Sequence, residues 1–175
     1  MREQSRIVIH DGAYVYKRPN VNRYIRRIHD LNDLKTHRRE FSREEYYSLY
    51  QTFLELEIYN LATWEERNYF APPLKFIYDN KNVPVVVFPY IQPIRTPEEA
   101  DYVEEDEALT VLTQELHARG MPDDQIENAI ERISEVCSDF NLNLDDILGN
   151  LSNCGYNTQL GFRVIDFGLD EEFVY

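Results

Sequence analysis

Cysteine is nearly absent from this sequence: Cys137 and Cys154 are the only two in 175 residues, and they show no paired CxxC spacing. That excludes a disulfide framework and a thiolate zinc site, and makes a reducing cytoplasm the expected setting. No apolar run approaches the roughly 18 residues that a membrane-spanning helix needs, and the opening residues carry no signal-peptide pattern. A soluble, unexported protein with no membrane partner is expected. Internal repeats and low-complexity segments are lacking too, and His10, His29, His37 and His117 have no metal-ligand spacing. Positive charge is in short supply, with 18 Lys and Arg against 32 Asp and Glu, a net charge of −14. The shortage is uneven. Residues 1–50 carry 11 basic against 7 acidic side chains, net +4, and residues 51–175 carry 7 against 25, net −18. An acidic bulk repels nucleic acid, so no DNA or RNA partner is expected, whereas a protein with a basic surface would match it. The basic group Arg23, Arg26, Arg27, Lys35, Arg38 and Arg39 reads first as a solvated surface and second as a site for phosphate or an acidic partner.

What is present is one domain's worth of chain with a legible order of elements. The stretch RIVIH-DG-AYVYKR places two β-branched or aromatic runs around Asp11-Gly12, which predicts a hairpin closed by a type I′ turn. Pro19 ends its second strand. Residues 20–39 read as a short helix within an irregular connection. Ser42 and Glu45 form a capping-box signature, and Tyr46, Leu49, Tyr50, Phe53, Leu54, Leu56 and Tyr59 recur at helical spacing, predicting a long amphipathic helix from about Arg43 to about Leu61. LKFIY and VPVVVFPYI, separated by Asp79–Asn82, predict a second strand pair. After Pro97 an acidic helical stretch runs to Gly120, a natural helix stop. A helix over Pro122–Phe140 follows, with Ile126, Ile130, Ile133, Cys137 and Phe140 on its buried face.

The chemistry-bearing residues gather near the carboxy end. Asp145 and Asn150 stand five apart in DDILGN, and Asp166 opens the Asp-Phe-Gly of VIDFG. Aspartate and asparagine supply the hard oxygen ligands that magnesium takes together with phosphate oxygens, and phosphoryl transfer from ATP needs little more from the protein than these, a carboxylate at the acceptor hydroxyl and a cation on the phosphates.

In these residues and their order the chain resembles the protein-kinase-like superfamily, which includes protein kinases and the aminoglycoside/choline phosphotransferases. The Gly149-Asn150 pair resembles the Gly-Asn of the small-molecule phosphotransferases. The resemblance implies an α+β, truncated protein-kinase-like fold in a single domain over residues 1–175. A small lobe, residues 1–92, would hold an antiparallel sheet and one long helix. A reduced large lobe, 93–175, would be helical and carry the catalytic loop and metal hairpin. It further implies Asp145 as catalytic base, with Asp146 as the alternative, and Asn150 and Asp166 as magnesium ligands. Lys17 would contact the ATP phosphates and pair with Glu57, or alternatively Glu55. Pro89, Tyr90 and Ile91 would form a hinge that contacts adenine. ATP and magnesium are the implied cofactors. Three features depart from the family pattern: only Gly12 precedes Lys17 where a glycine-rich loop is expected, Asn143 stands where histidine is usual, and nine residues follow Asp166. A looser resemblance links this shortened plan to small kinase-like proteins of bacteriophages, which places the expected setting in a host cytoplasm. Two functions follow as alternatives: a minimal phosphotransferase acting on a protein or small-molecule hydroxyl, or a pseudokinase-type protein that binds and modulates a host partner through its acidic surface.

Overall fold

The structure, a computed structural model, describes residues 6–167. In chain order the elements are β1 (Arg6–Asp11), β2 (Tyr14–Pro19), α1 (Leu31–Thr36), α2 (Arg43–Leu61), α3 (Trp64–Arg67), β3 (Lys75–Tyr78) and β4 (Pro84–Pro89). Then come β5 (Gln92–Pro93), α4 (Pro97–Ala100), α5 (Glu105–Ala118), α6 (Asp123–Phe140), α7 (Leu144–Leu148), β6 (Cys154–Asn157) and β7 (Gly161–Val164). The fold is α+β with antiparallel sheets, as the sequence predicts. It divides into two compact units, one built from the chain up to Leu61 with Pro72–Tyr90, the other from Ala62–Ala71 with the chain from Ile91 onward. The second unit thus takes in the excursion Ala62–Ala71, which lies in sequence between α2 and β3.

The first unit is a four-stranded sheet in the order β1-β2-β4-β3, with α2 inserted in sequence between the two hairpins. In the first hairpin Asp11 pairs with Tyr14, so the loop is Gly12-Ala13 and not Asp11-Gly12. Only Gly12 has positive φ, at 60°, the pattern of a type II′ turn. The single left-handed residue is a glycine, and this decides the register over the Asp-Gly preference. Asp79 organises the second hairpin: its Oδ1 accepts from the amides of Lys81 and Val83, at 2.8 and 3.0 Å, and its Oδ2 accepts from Arg18 Nε at 2.8 Å. Burial alone would raise the Asp79 carboxyl, but these hydrogen bonds prevail and hold it below its ordinary value. Its contribution to stability is therefore present at neutral pH and lost as pH falls through the carboxylate range.

The long helix begins where the sequence places it. Ser42 N donates to Glu45 Oε1 at 3.0 Å and Glu45 N to Ser42 Oγ at 3.1 Å, a complete capping box. Its middle differs from the expectation. Ser48, Gln51, Thr52 and Glu55 are buried along with Leu49, Tyr50, Phe53 and Leu54, so the helix is covered on nearly every side and is not simply amphipathic.

In the second unit the acidic stretch after Pro97 forms two helices, not one. Thr96 and Glu99 make a capping box for α4, and a turn at Asp101–Val103 separates it from α5. The core is supplied by Ala108, Leu112 and Leu116 of α5 and by Ile126, Ala129, Ile133, Val136 and Cys137 of α6, all buried. Ile130 and Phe140 are half-buried, at the margin of the face predicted to hold them. Each fully buried Leu or Ile contributes roughly 1.5–3 kcal/mol of transfer free energy.

A three-stranded sheet, β5-β6-β7, completes this unit. Gly155 sits where β5 pairs with β6. A Cβ there would lie 2.7 Å from Ile91 Cγ2 and 2.8 Å from the Gln92 carbonyl oxygen. The carbonyl is backbone and cannot swing away. Gly155→Ala is expected to lower stability by about 1–3 kcal/mol, the usual overpacking range. Urea unfolding would show this as a lower midpoint at unchanged slope, and an unchanged midpoint would show that the strand pair yields freely.

Candidate functional site

Lys17 lies on β2 with its side chain buried, and its Nζ stands 3.5 Å from Glu55 Oε1 on α2 and 4.7 Å from the centroid of the Phe88 ring. The pairing corrects the expectation for Glu57. Two residues further on, Glu57 is turned by roughly 200° around the helix and is only half-buried. Glu55, 1% exposed, is the carboxylate that meets the lysine. It also meets Arg6 of β1, which donates from both terminal nitrogens, at 2.7 and 2.8 Å, to the two carboxylate oxygens. This bidentate, charge-assisted geometry is the stronger of the two contacts. Arg6 played no part in the site read from sequence. The register Val8↔Lys17 and Arg6↔Pro19 puts Arg6 and Lys17 on the same face of the sheet.

The three expected hinge residues offer a restricted set of backbone groups. Pro89 closes β4 and has no amide hydrogen. Tyr90 N donates to the Ala13 carbonyl at 2.7 Å, and the Tyr90 ring stacks on His10 with centroids 3.7 Å apart. Of the three amides, only that of Ile91 could serve a base edge. The Ile91 side chain is buried in the second unit.

Asp145 lies in the first turn of α7, a short helix and not an open loop. Asn143 is its N-cap: Oδ1 accepts from the amides of Asp145 and Asp146, at 3.0 and 3.3 Å. Asparagine at position 143 thus has a local structural reason. Asp145 is exposed and Asp146 half-buried. Asn150 is exposed and opens the next turn, its Oδ1 accepting from Ser152 N at 3.0 Å and Ser152 Oγ at 2.7 Å. The oxygen that would ligate magnesium is therefore already an acceptor twice over.

Asn150 and Asp166 flank the open end of the β6–β7 hairpin on opposite arms, as the sequence predicts. Cys154 pairs with Val164, and beyond it Ile165 N donates to Asn153 O at 2.8 Å. Phe167, fully buried, packs edge-on against Phe70 with centroids 5.0 Å apart, and Phe70 in turn bridges to Val164. This anchors the backbone that carries half-buried Asp166. Gly168, the last residue of the triplet, lies outside the described residues.

Lys17, Glu55, Pro89 and Tyr90 belong to the first unit, and Ile91, Asp145, Asn150 and Asp166 to the second. Among the described residues no group of three or more His, Cys, Asp or Glu side chains is placed to hold a metal ion. Beside Asp145 the surface of the second unit has an open depression of about 500 Å³, lined by Ser134, Ser138, Asn141, Asn143 and others. Asn150 and Asp166 do not line it. Also among the described residues, no helix is long and apolar enough to cross a membrane. No protein-family model matches the chain, and neither does any curated protein or solved structure.

Proposed function

We propose that this protein binds magnesium and ATP with a kinase-like set of residues and acts as a minimal phosphotransferase. The observation that carries the reading is the buried pair of Lys17 with Glu55. Burying a charged side chain is costly unless it is paired, so a lysine and a glutamate buried together on β2 and α2 are a feature that function would account for. In this reading Lys17 neutralises the phosphates, and Asn150 and Asp166 hold magnesium. The acceptor hydroxyl oxygen attacks the γ-phosphorus, its bond to the β,γ-bridging oxygen breaks, ADP leaves, and Asp145 receives the hydroxyl proton. Asn150 can join the metal only by giving up or sharing its Ser152 contacts, so magnesium binding is expected to disturb the Ser152 amide.

Thermal unfolding with and without millimolar ATP and magnesium tests the proposal. Ligand at about 100 times its Kd stabilises by about 2.7 kcal/mol, a shift of several degrees in a domain of this size. That shift is expected in the wild type, to require magnesium, and to vanish in Asp166→Ala. No shift in the wild type would overturn the nucleotide reading.

A second reading, a pseudokinase-type module that binds a basic protein partner, is favoured by the double engagement of Asn150 Oδ1 and by the −18 net charge of residues 51–175. It expects one stoichiometric partner in a pull-down, retained by Asp145→Ala.

A further inference from the structure

We infer that Asn153 is the positioning residue of the metal-binding half of this site, an inference that rests on the magnesium and ATP reading above. Asn153 is the one buried amide side chain in this unit's chemistry-bearing segment, 9% exposed, and it engages all three stretches that carry candidate residues. Its Nδ2 donates to the Asp146 carbonyl at 2.7 Å, beside Asp145. Its backbone amide donates to the Asn150 carbonyl at 2.9 Å, and its own carbonyl accepts from Ile165, the neighbour of Asp166, at 2.8 Å. The side-chain orientation is unambiguous, because a carbonyl partner can only accept.

The two backbone bonds are made by any residue in this turn. The side-chain bond is specific to asparagine. It ties α7 to the turn that follows it, beside a weak bond from Cys154 Sγ to the Ile147 carbonyl at 3.5 Å. Without it, the α7 segment bearing Asp145 loses a short hydrogen bond to the turn that links Asn150 to the hairpin, and its orientation is less closely fixed. Magnesium demands near-octahedral geometry and tolerates little scatter in its ligands. Side chains that orient ligands without touching the metal commonly change metal affinity by 10–100-fold when removed. Asn153 is thus assigned to geometry and not to contact with nucleotide or metal.

The test compares the wild type with Asn153→Asp, which keeps the size and loses the donor, and with Asn153→Ser, which is too short to reach. Calorimetric titration with ATP is done at 20 °C with and without magnesium, with circular dichroism confirming that each variant is folded. The expected result is that the magnesium concentration for half-maximal ATP binding rises at least tenfold in both variants while ATP binding without magnesium stays within twofold. A purely structural role would lower the unfolding midpoint and leave the magnesium dependence of the folded protein alone, and that outcome overturns the assignment.

A wild type that binds no ATP sinks the phosphotransferase reading separately. The positional claim is then decided by amide exchange in the ligand-free protein, where the variants should lose at least tenfold protection at Ile165 while Arg163 in the same hairpin is unchanged. Equal protection at Ile165 in all three proteins overturns it.

Discussion

Glu55→Ala lowers the stability of the protein by about 3–5 kcal/mol, the range for removing one partner from a buried ion pair. The carboxylate is 1% exposed and is shared by a guanidinium and an ammonium that are 6% and 7% exposed. Deleting it removes the carboxylate that both cations share in a medium where neither is well hydrated, so part of their desolvation is no longer compensated. Lys17→Met, by contrast, should cost much less. Arg6 retains its bidentate contact with Glu55, and the lysine stem is replaced by an apolar chain of similar length beside Phe88. Urea unfolding of the three proteins checks this. A Glu55→Ala variant within 1 kcal/mol of the wild type would show that water reaches the cluster. The contrast also separates stability from the proposed function, because Lys17→Met is expected to remain folded and, if the nucleotide proposal holds, to bind ATP more weakly.

Raising the pH from 8 to 11 should cost the wild type on the order of 3 kcal/mol through Cys154 alone. Burial pushes this thiol up to about 12, with Cys137 nearby adding to the shift. In the unfolded chain it titrates near 8.5. The folded value is the higher one, so the protonated thiol's contribution is complete below about pH 8.5 and declines by about 1.4 kcal/mol per pH unit above it, until the folded value is passed. Tyr46 and Tyr78, both raised by burial, act in the same direction at higher pH. Cys154→Ala removes the thiol's share and leaves theirs. The difference in unfolding free energy between pH 8 and pH 10.5, measured under reducing conditions, should therefore shrink by about 2–3 kcal/mol in the variant. The same loss in both proteins would assign the alkaline sensitivity elsewhere.

Much of the architecture was legible in the sequence because local rules were strong there. The Ser42/Glu45 box, the turn residues of both hairpins and the three- and four-residue spacing of Ile126, Ile130, Ile133 and Cys137 each act locally. The errors occurred where tertiary contacts decide. Ser48, Gln51, Thr52 and Glu55 look like the wet stripe of an amphipathic helix, yet they are buried; polarity alone does not say whether a partner awaits in the fold. The turn lies one residue later than Asp11-Gly12, which leaves Arg6 and Lys17 on one face of the sheet but sets Arg6 opposite Pro19 rather than opposite Lys17. The loop asparagines were read as metal ligands or departures from a pattern, although Asn143 and Asn150 each cap a turn. Asn153 gave no signal in the sequence, because its partner is the main chain of Asp146 and any residue there has a carbonyl to offer.

The excursion Ala62–Ala71 has a consequence for synthesis. Ala71 N bonds to the Val164 carbonyl, and Arg163 reaches back across 93 residues to the Phe70 carbonyl. On the ribosome, the elements of the first unit are complete once Tyr90 has emerged, while Phe70, among the largest fully buried side chains, must wait for the hairpin at the far end of the chain. During that interval a large aromatic and an unpaired stretch of backbone are bare to solvent. A nascent chain stalled between these two points is the form in which this protein is most exposed to chaperones, proteases and self-association.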